Sequence, residues 1–326
     1  MTSARILITG AGGFIGSHLT ELCVERGHSV VAFLHYNSAG SWGWLEDSSC
    51  RNDIEVVLGD IRDLDSVTAA LGGCDTVFHL AALAGIPHSL QAPHAYIGTN
   101  IEGTYNVLQA ARARGVSNIL ITSTSETYGT AQYNPIDENH PLVAQSPYAA
   151  TKIAADQLAL SFHRSFGLPV KVVRPFNAFG PRQSTRAVIP TIITQLLAKE
   201  EPIRLGNLYP TRDFTFVTDT AEAFLEVAGA SDLFGEVVNV GTGREVSVLD
   251  TVTLIGKILG IQAETVLDQG RARPDPMEVK RLCCDNTKIM ERTEWRPKYD
   301  LEAGLEATIR WFEGNLPSYK PDLYQT

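Results

Sequence analysis

The sequence is poor in cysteine and in net positive charge, and both scarcities exclude classes of protein. Five cysteines are scattered through 326 residues and form no CxxC pair, so neither a disulfide framework nor a metal site is expected. Reduced thiols in a cytoplasmic protein explain this usage. The formal net charge of −10 at pH 7 disfavours nucleic acid or an anionic membrane as the main partner, because polyanionic surfaces attract basic proteins.

Long hydrophobic runs are also absent. No apolar stretch approaches the ~20 residues that a helix needs to cross a bilayer, so no membrane partner is expected. The chain begins without a separate charged segment, apolar region and cleavage site, and we therefore expect no signal peptide and a cytoplasmic location. The composition, 44% hydrophobic and 20% charged, is typical of a globular protein with a large core.

Short apolar runs alternate with amphipathic stretches through the first half of the chain. This alternation predicts an α/β fold, a Rossmann-type doubly wound parallel sheet with helices on both faces. Before the longest helix, Ser146 and Pro147 suit the N-cap and the first helical position. The predicted strands cover residues 6–9, 30–34, 56–58, 76–80, 118–122 and 170–173, and the predicted helices cover 15–26, 95–114 and 147–166.

The pattern loosens after Pro175. We predict a dinucleotide-binding domain over residues 1–175 and a smaller, mixed C-terminal substrate-binding lobe over residues 176–326. A segment near 211–240 is expected to return to the first domain. The further predicted elements are helices at 187–199, 248–259 and 301–312 and strands at 213–217 and 236–240.

A glycine-rich turn follows the first predicted strand and opens the first predicted helix. Gly10, Gly13 and Gly16 are spaced as GxxGxxG. Glycine lets the backbone turn tightly and approach a pyrophosphate, whose charge is stabilised at the helix N-terminus. The strand–turn–helix context predicts a dinucleotide site that includes these glycines with Phe14 and Ile15.

The cofactor is predicted to be NAD, with NADP disfavoured. An acid after the second strand would bind the adenosine ribose of NAD, but this chain has His35-Tyr36-Asn37 there. Neither Arg nor Lys stands nearby to meet a 2′-phosphate, which favours NAD. Tyr36 and Asn37, with Asp60-Ile61 after the third strand, are candidates for the adenosine end, although a turn cap also explains Asp60.

A second motif supplies acid–base chemistry. Tyr148 and Lys152 are four residues apart on a predicted helix and therefore share one face. The ammonium, together with a positively charged nicotinamide, is expected to lower the pKa of the tyrosine. The tyrosine then accepts a hydroxyl proton as hydride leaves the same carbon. Glu126, within Thr124-Ser125-Glu126, adds a base suited to a carbon-bound proton, which indicates elimination of water.

Further segments accompany these motifs: His79-Leu80-Ala81-Ala82, Asn100, Arg174-Pro175-Phe176-Asn177 and Arg212-Asp213-Phe214. Together with the glycine turn and the Tyr–Lys pair, they resemble extended short-chain dehydrogenase/reductases that act on nucleotide sugars, over essentially the whole chain. The resemblance implies that Leu80, Ala81, Ala82 and Asn100 contact the cofactor. A structural role in bridging a helix also explains Asn100.

The triplet Thr124-Ser125-Glu126 resembles the Thr-(Asp/Ser)-Glu triplet of nucleotide-sugar 4,6-dehydratases. Three further segments carry a closer resemblance: Tyr36-Asn37-Ser38 with Ser41-Trp42-Gly43-Trp44-Leu45, Tyr128-Gly129-Thr130-Ala131-Gln132-Tyr133, and Arg182-Gln183-Ser184 through Ala187-Val188-Ile189-Pro190. These are similar to the NDP-N-acetylglucosamine 4,6-dehydratases of legionaminic-acid-type pathways. That subgroup tends to lack an acid after the second strand.

The resemblance implies a mechanism in three steps. Tyr148 takes the C4 hydroxyl proton while NAD⁺ takes the C4 hydride. Glu126 then removes the C5 proton, acidified by the new ketone, as the C6 hydroxyl leaves as water. Hydride returns to C6 and C5 is reprotonated, which yields a 4-keto-6-deoxy sugar. Thr124 would bond the C4 oxygen, and Ser125 would orient or protonate the leaving group, although a plain turn role also explains Ser125.

The nucleotide half of the substrate needs cationic donors. By resemblance, Asn177, Arg212 and Arg273 match positions that contact the diphosphate and nucleoside. Arg182 is a further candidate, and the backbone from Val188 onward is expected to meet the base edge. A solvated ion pair explains any single arginine equally well, and the base itself is left open.

The leading hypothesis is an NAD-dependent 4,6-dehydration of UDP- or GDP-N-acetylglucosamine. A UDP-glucuronate decarboxylase would need a cation for the substrate carboxylate, and the sequence names none unambiguously. An NDP-sugar 4-epimerase usually lacks a glutamate at position 126. A non-catalytic nucleotide-sugar sensor would not need the full catalytic set. The helices at 95–114 and 147–166 resemble the pair that forms a four-helix homodimer interface in this superfamily.

Overall fold

The computed structural model describes residues 3–200 and 202–319. Its strands are β1 (Arg5–Thr9), β2 (Ser29–His35), β3 (Ile54–Gly59), β4 (Thr76–His79), β5 (Asn118–Thr122), β6 (Val170–Pro175), β7 (Asn177–Phe179), β8 (Ile203–Leu205), β9 (Thr211–Phe216), β10 (Val237–Val240), β11 (Glu245–Ser247) and β12 (Thr265–Leu267). Seven pair in parallel in the order β10-β6-β5-β4-β1-β2-β3. The order reverses between β1 and β4, and a crevice for ligands opens at the carboxyl ends of strands around such a reversal.

Helices cover both faces of this sheet. They are α1 (Phe14–Glu25), α2 (Leu64–Ala70), α3 (Ile86–Gln91), α4 (Pro93–Tyr96), α5 (Gly103–Arg114), α6 (Pro147–Phe166), α7 (Val188–Leu197), α8 (Val217–Gly229), α9 (Val248–Leu259), α10 (Thr287–Arg292) and α11 (Leu301–Asn315). Strand side chains alternate between faces, so Ile6 and Ile8 pack with α1 and α8 while Leu7 packs with α2, α5 and α6. The predicted Rossmann-type fold is confirmed.

A smaller lobe follows β6 after one residue. It contains the mixed sheet β11-β9-β7 and the parallel pair β12-β8. Its core joins α7, α9 and α11 around buried residues such as Phe179, Ile192 and Phe312. The predicted strand at 236–240 does return to the large sheet, as β10, whereas Thr211–Phe216 pairs within the small mixed sheet. The proposed domain limits at residue 175 stay a prediction.

Several short elements, α2, α3, α10, β7, β8, β11 and β12, were not predicted from the sequence, and two longer helical regions also differ. The helix expected over 95–114 divides into α4, a π-helical stretch Ile97–Glu102 and α5. Helix α8 was not predicted at all. It lacks a side-chain cap at Phe216, and before its last residue only a narrow polar stripe with Thr218, Glu222 and Glu226 escapes full burial, so it has no capping signal and only a narrow polar face. No helix within residues 3–200 and 202–319 is long and apolar enough to cross a membrane.

Candidate active site

The glycine turn between β1 and α1 forms one wall of a cleft, here named the glycine-loop cleft. Gly10 has φ +72°, and an added Cβ would lie 2.8 Å from the backbone nitrogen of Ala81, so the turn packs directly on the end of β4. An added Cβ at Gly16 would overlap the carbonyl oxygen of Gly10. Of the predicted cofactor residues, the cleft brings together Gly10, Gly13, Phe14, Ile15, Gly16, Asn37, Leu80, Ala81 and Ala82.

A tryptophan-containing turn closes the same cleft. The 3-10 turn Gly43–Leu45 follows β2, and the backbone N–H of Trp44 donates to the carbonyl of Gly12 over 3.1 Å. An added Cβ at Gly12 would overlap the carbonyl oxygen of Trp42. The lining residues that sequence reasoning did not assign to the cofactor include Leu34, His35, Ser41, Trp42, Gly43 and Thr122.

Tyr148 and Lys152, also predicted to contact the cofactor, are not in the lining of this cleft and are described below with the catalytic candidates. Four other predicted cofactor residues lie elsewhere. Tyr36 is 66% exposed, Asp60 pairs with Arg62 at 2.5 Å, and Ile61 is buried in the core beneath α5. None of the three lines the glycine-loop cleft. They follow strands that lead to the cleft, but their side chains turn outward or into the core.

Asn100 is the fourth, and its side chain is fully occupied. Its amide N–H groups donate to the Leu83 carbonyl and the Thr151 hydroxyl, each over 3.0 Å, and its oxygen accepts from the Leu83 N–H over 2.9 Å. Asn100 is buried in the π-helical stretch. It therefore ties the loop after β4 to α6 instead of facing the cleft.

The catalytic candidates come from two adjacent elements. Thr124 caps the 3-10 turn Ser125–Tyr128 after β5, with its hydroxyl 3.3 Å from the N–H of Glu126. Helix α6 supplies Tyr148, which packs edge-on against Tyr96 with ring centroids 6.1 Å apart. Ser125 is 2% exposed, so its hydroxyl lies beneath the surface that a substrate would meet.

Burial raises the pKa of Tyr148 above its ordinary value, and a hydrogen bond with Thr124 opposes this. Lys152 is buried and donates to the Thr122 carbonyl over 2.5 Å. Burial lowers the pKa of Lys152, and Asp156 one turn further along α6 opposes that lowering. The lowered tyrosine pKa expected from the lysine and a nicotinamide is therefore not produced by the protein groups alone.

Glu126 lines a second cleft, here named the arginine cleft. The cleft is also lined by Asn177, Val188, Arg212 and Arg273, which the sequence analysis assigned to the substrate. Within the described ranges, the Glu126 carboxylate makes no hydrogen bond or ion pair, although its charge acts on both Tyr148 and Arg212. A half-buried carboxylate without a fixed partner is suited to accepting a proton.

Arg212 is held rigidly in this cleft. Its Nη1 donates to the carbonyls of Thr211 and Val279 over 2.9 and 2.7 Å, and its Nη2 lies 3.5 Å from a Glu278 oxygen. Burial lowers the pKa of Arg212, and Glu126 and Glu278 oppose that effect. Glu278 also lies 3.8 Å from Arg273. Sequence reasoning missed Glu278 because its buried partner Arg212 lies 66 residues away along the chain.

Arg182, a predicted substrate residue, lies outside both clefts. Its guanidinium pairs with Glu21 of α1 at 2.8 Å. The segment that follows it does reach the clefts: Gln183, Arg186 and Ala187, here named the shared wall, line both of them. Arg186 Nη1 donates to the Ala84 carbonyl over 3.1 Å. Nothing in the sequence distinguished Arg186 from a surface arginine.

A buried network supports the catalytic turn from behind. Asp156 accepts hydrogen bonds from the Ser123 hydroxyl over 2.7 Å and from Arg174 Nη2 over 2.8 Å. Arg174 Nη1 donates to the Tyr128 hydroxyl, which donates to Asn239 over 2.7 Å. These bonds connect both ends of the 3-10 turn to α6, β6 and β10. In the part of the chain that the structure describes, no group of three His, Cys, Asp or Glu is placed to hold a metal ion.

A family model described as GDP-mannose 4,6 dehydratase matches residues 7–308. A putative UDP-glucose 4-epimerase from Methanocaldococcus jannaschii is 31% identical over 315 residues, which cover 95% of this chain and 99% of that protein. A UDP-N-acetyl-alpha-D-glucosaminuronate decarboxylase from Bacillus cytotoxicus is 33% identical over 323 residues, with 94% and 97% covered. The dTDP-glucose 4,6-dehydratase of Streptomyces venezuelae, solved with NAD bound, has a TM-score of 0.88 at 29% identity, with 97% and 99% covered. The chain is thus similar to an epimerase, a decarboxylase and a dehydratase.

Proposed function

The chain belongs to the GDP-mannose 4,6-dehydratase family of extended short-chain dehydrogenases, and on this premise we propose that it dehydrates a nucleotide-activated hexose. The observation that carries the proposal is Glu126. Its carboxylate lines the arginine cleft without a hydrogen bond or ion pair in the described chain, and its charge acts on Tyr148. A hydride-transfer or epimerisation site has no obvious need for this second base.

The residues of the glycine-loop cleft fit NAD. The glycines permit the close backbone approach that a pyrophosphate requires, and Leu80, Ala81 and Ala82 line the same cleft. After β2, the lining residues His35, Asn37 and Ser41 include no Arg or Lys for the 2′-phosphate of NADP. NAD, when bound, would accept hydride from C4 and return it to C6.

The chain's own residues divide the proton transfers. Tyr148 accepts the proton of the C4 hydroxyl, with Thr124 beside it to bond the C4 oxygen. Lys152 contributes positive charge on the same face of α6. Glu126 accepts the C5 proton and returns it to the departing C6 hydroxyl, so that water leaves. Once hydride has added to C6, C5 takes up a proton, which balances the proton that Tyr148 accepted from the C4 hydroxyl. Ser125 is a positioning group in this scheme, because its side chain is buried.

The arginine cleft suits a nucleoside diphosphate. Arg212 and Arg273 line it together with Asn177, and guanidinium groups bind phosphate oxygens in a defined geometry. We propose UDP- or GDP-N-acetylglucosamine as the substrate. This choice of sugar rests on the resemblance of the segments around Tyr36, Tyr128 and the shared wall, and the base remains open between the two.

One observation favours a second function, decarboxylation of a nucleotide-linked uronate. Such a reaction needs a cation for the substrate carboxylate, and Arg186 of the shared wall provides one at the place where the two clefts meet. The Bacillus cytotoxicus relative carries a decarboxylase name. Both functions use Tyr148, Lys152 and NAD, so the substrate and product masses distinguish them.

The test is mass spectrometry of the protein incubated separately with UDP-N-acetylglucosamine, GDP-N-acetylglucosamine, dTDP-glucose, GDP-mannose and UDP-glucuronate. Loss of one water without added reductant supports dehydration, and loss of carbon dioxide from UDP-glucuronate supports the second function. In Glu126→Gln, we expect C4 oxidation, seen as NADH absorbance, without loss of water. Glu306→Gln, an exposed change on α11, is the control. Unchanged dehydration in Glu126→Gln would refute the role of Glu126.

We also propose a homodimer that uses α5 and α6. Tyr105 of α5 is 42% exposed and Phe166 of α6 is 50% exposed, so both helices keep apolar surface available for a partner. Light scattering after gel filtration should give twice the mass of one chain. A monomer at micromolar concentration would contradict this assembly.

A further inference from the structure

The turn between β7 and α7 is joined to helix α1 by a two-pronged ion pair. Arg182 Nη1 lies 2.9 Å from Glu21 Oε2, and Nη2 lies 2.8 Å from Oε1. Both side chains are less than one-fifth exposed. Because two N–H groups meet two oxygens, the pair defines the orientation of the turn as well as its distance from α1.

Two further contacts strengthen this junction. The His18 ring nitrogen Nε2 donates to the Pro181 carbonyl over 3.2 Å, and burial lowers the pKa of His18 to about 4, so the ring is neutral near pH 7. Glu21 also accepts from the Ser48 hydroxyl over 2.6 Å. Helix α1 thereby holds both the 180–182 turn and the segment after the tryptophan-containing turn.

The backbone conformation of Arg182 explains why the turn needs these stabilising contacts. Its φ is 71°, in the left-handed region that non-glycine residues rarely adopt. A conformation of this kind persists only where the surroundings fix it. The chain leaves this residue directly into the shared wall, so the direction of Gln183 and Arg186 depends on the geometry at Arg182.

We propose that Arg182 is a positioning residue whose pair with Glu21 couples the two clefts through the shared wall. Neither Arg182 nor Glu21 lines a cleft. Helix α1 begins at Phe14, beside the glycine turn, while the shared wall faces both clefts. Breaking the pair removes the contact that fixes the shared wall relative to α1. Ligand binding in both clefts is then weakened together. The inference rests on the proposed function, because coupling requires a ligand in each cleft.

Two variants remove the pair in different ways. Glu21→Gln keeps the side-chain shape, and Arg182→Gly keeps the left-handed backbone. We expect the Kd for NADH, measured by fluorescence titration without turnover, and the KM for the active nucleotide sugar each to rise about 5–10-fold, the lower end of typical coupling between sites. The matched control is Glu222→Gln. It breaks the pair between Glu222 and Arg26, the residue after α1, in which one guanidinium nitrogen lies 2.8 Å from both carboxylate oxygens. Neither residue lines a cleft, so neither constant should change.

A charge exchange separates positioning from general damage to the fold. Glu21→Arg combined with Arg182→Glu restores an ion pair and should recover most of the NADH affinity lost in the single variants. Wild-type Kd and KM in both single variants would overturn the proposal, as would lower thermal stability with unchanged NADH binding. A protein that binds NADH normally but converts no nucleotide sugar would refute the proposed function, while the NADH titrations would still decide the role of Arg182.

Discussion

Replacing Asp156 with asparagine should destabilise the fold strongly, because it leaves a buried arginine without its counter-charge. The Asp156 side chain is 0% exposed and that of Arg174 is 2% exposed. One carboxylate oxygen accepts from the Ser123 hydroxyl and from two nitrogens of Arg174. Removing one partner of a buried ion pair costs about 3–5 kcal/mol, a large share of the ~5–15 kcal/mol that stabilises a typical domain.

Urea unfolding followed by tryptophan fluorescence measures this effect. With a denaturant slope of about 2–3 kcal/mol per molar, the midpoint for Asp156→Asn should fall by about 1–2.5 M. Glu222→Gln, which breaks the more exposed pair with Arg26, should cost about 0–1 kcal/mol. The double variant Asp156→Asn with Arg174→Met removes both charges and should be more stable than Asp156→Asn alone.

The role of the buried pair is tested by comparing the Asp156–Arg174 pair with the Arg26–Glu222 pair. If Asp156→Asn lowers the urea midpoint no more than Glu222→Gln does, the buried pair is not the support inferred from its burial. If adding Arg174→Met lowers the midpoint further, the uncompensated charge of Arg174 is not the source of the loss.

Two further predictions concern the cofactor turn and the dependence of stability on pH. Gly12→Ala places a Cβ against the Trp42 carbonyl and should raise the Kd for NADH at least tenfold. The control Gly314→Ala, whose added Cβ meets no atom within 4 Å, should leave this Kd unchanged. Equal Kd values in the two variants would show that the turn accommodates the added Cβ without loss of NADH binding. Burial lowers the pKa of Lys171 to about 8, from a usual value near 10.5. Between these two pH values the Lys171 side chain is therefore more fully protonated in the unfolded chain than in the folded chain. Unfolding free energy should therefore rise as pH increases from about 8 to 10, and Lys171→Met should flatten this rise in urea titrations across that range.

The parts predicted from the sequence are those encoded over short distances. Gly10, Gly13 and Gly16 lie within one turn, and the spacing of Tyr148 and Lys152 places them on one helical face whatever surrounds them. The alternation of apolar runs likewise predicted the large sheet, because each strand buries its own side chains. These elements depend on local geometry, which the sequence carries directly.

The parts that the sequence could not predict depend on partners far along the chain. Arg182 and Arg186 stand four residues apart, and their composition gives no reason to prefer either as a ligand-binding group. Arg182 has a left-handed backbone and pairs with Glu21, 161 positions away. These two features direct the side chain of Arg182 away from the clefts and that of Arg186 toward them. Asn100 is similar, since its partners Leu83 and Thr151 come from separate elements.

A Tyr–Lys pair beside a dinucleotide cleft does not by itself separate epimerisation, dehydration and decarboxylation. A tyrosine, a lysine and a dinucleotide oxidise C4 in all three cases, and a fold common to several reactions leaves the choice to the groups that face the reacting atoms. Those groups must act at C5 and C6, beyond the reach of the glycine turn. In the proposed schemes they are Glu126, on the turn after β5, and the shared wall with Arg186. Both are carried by short irregular segments, and the buried network behind Tyr128 and the Arg182–Glu21 pair hold those segments in place.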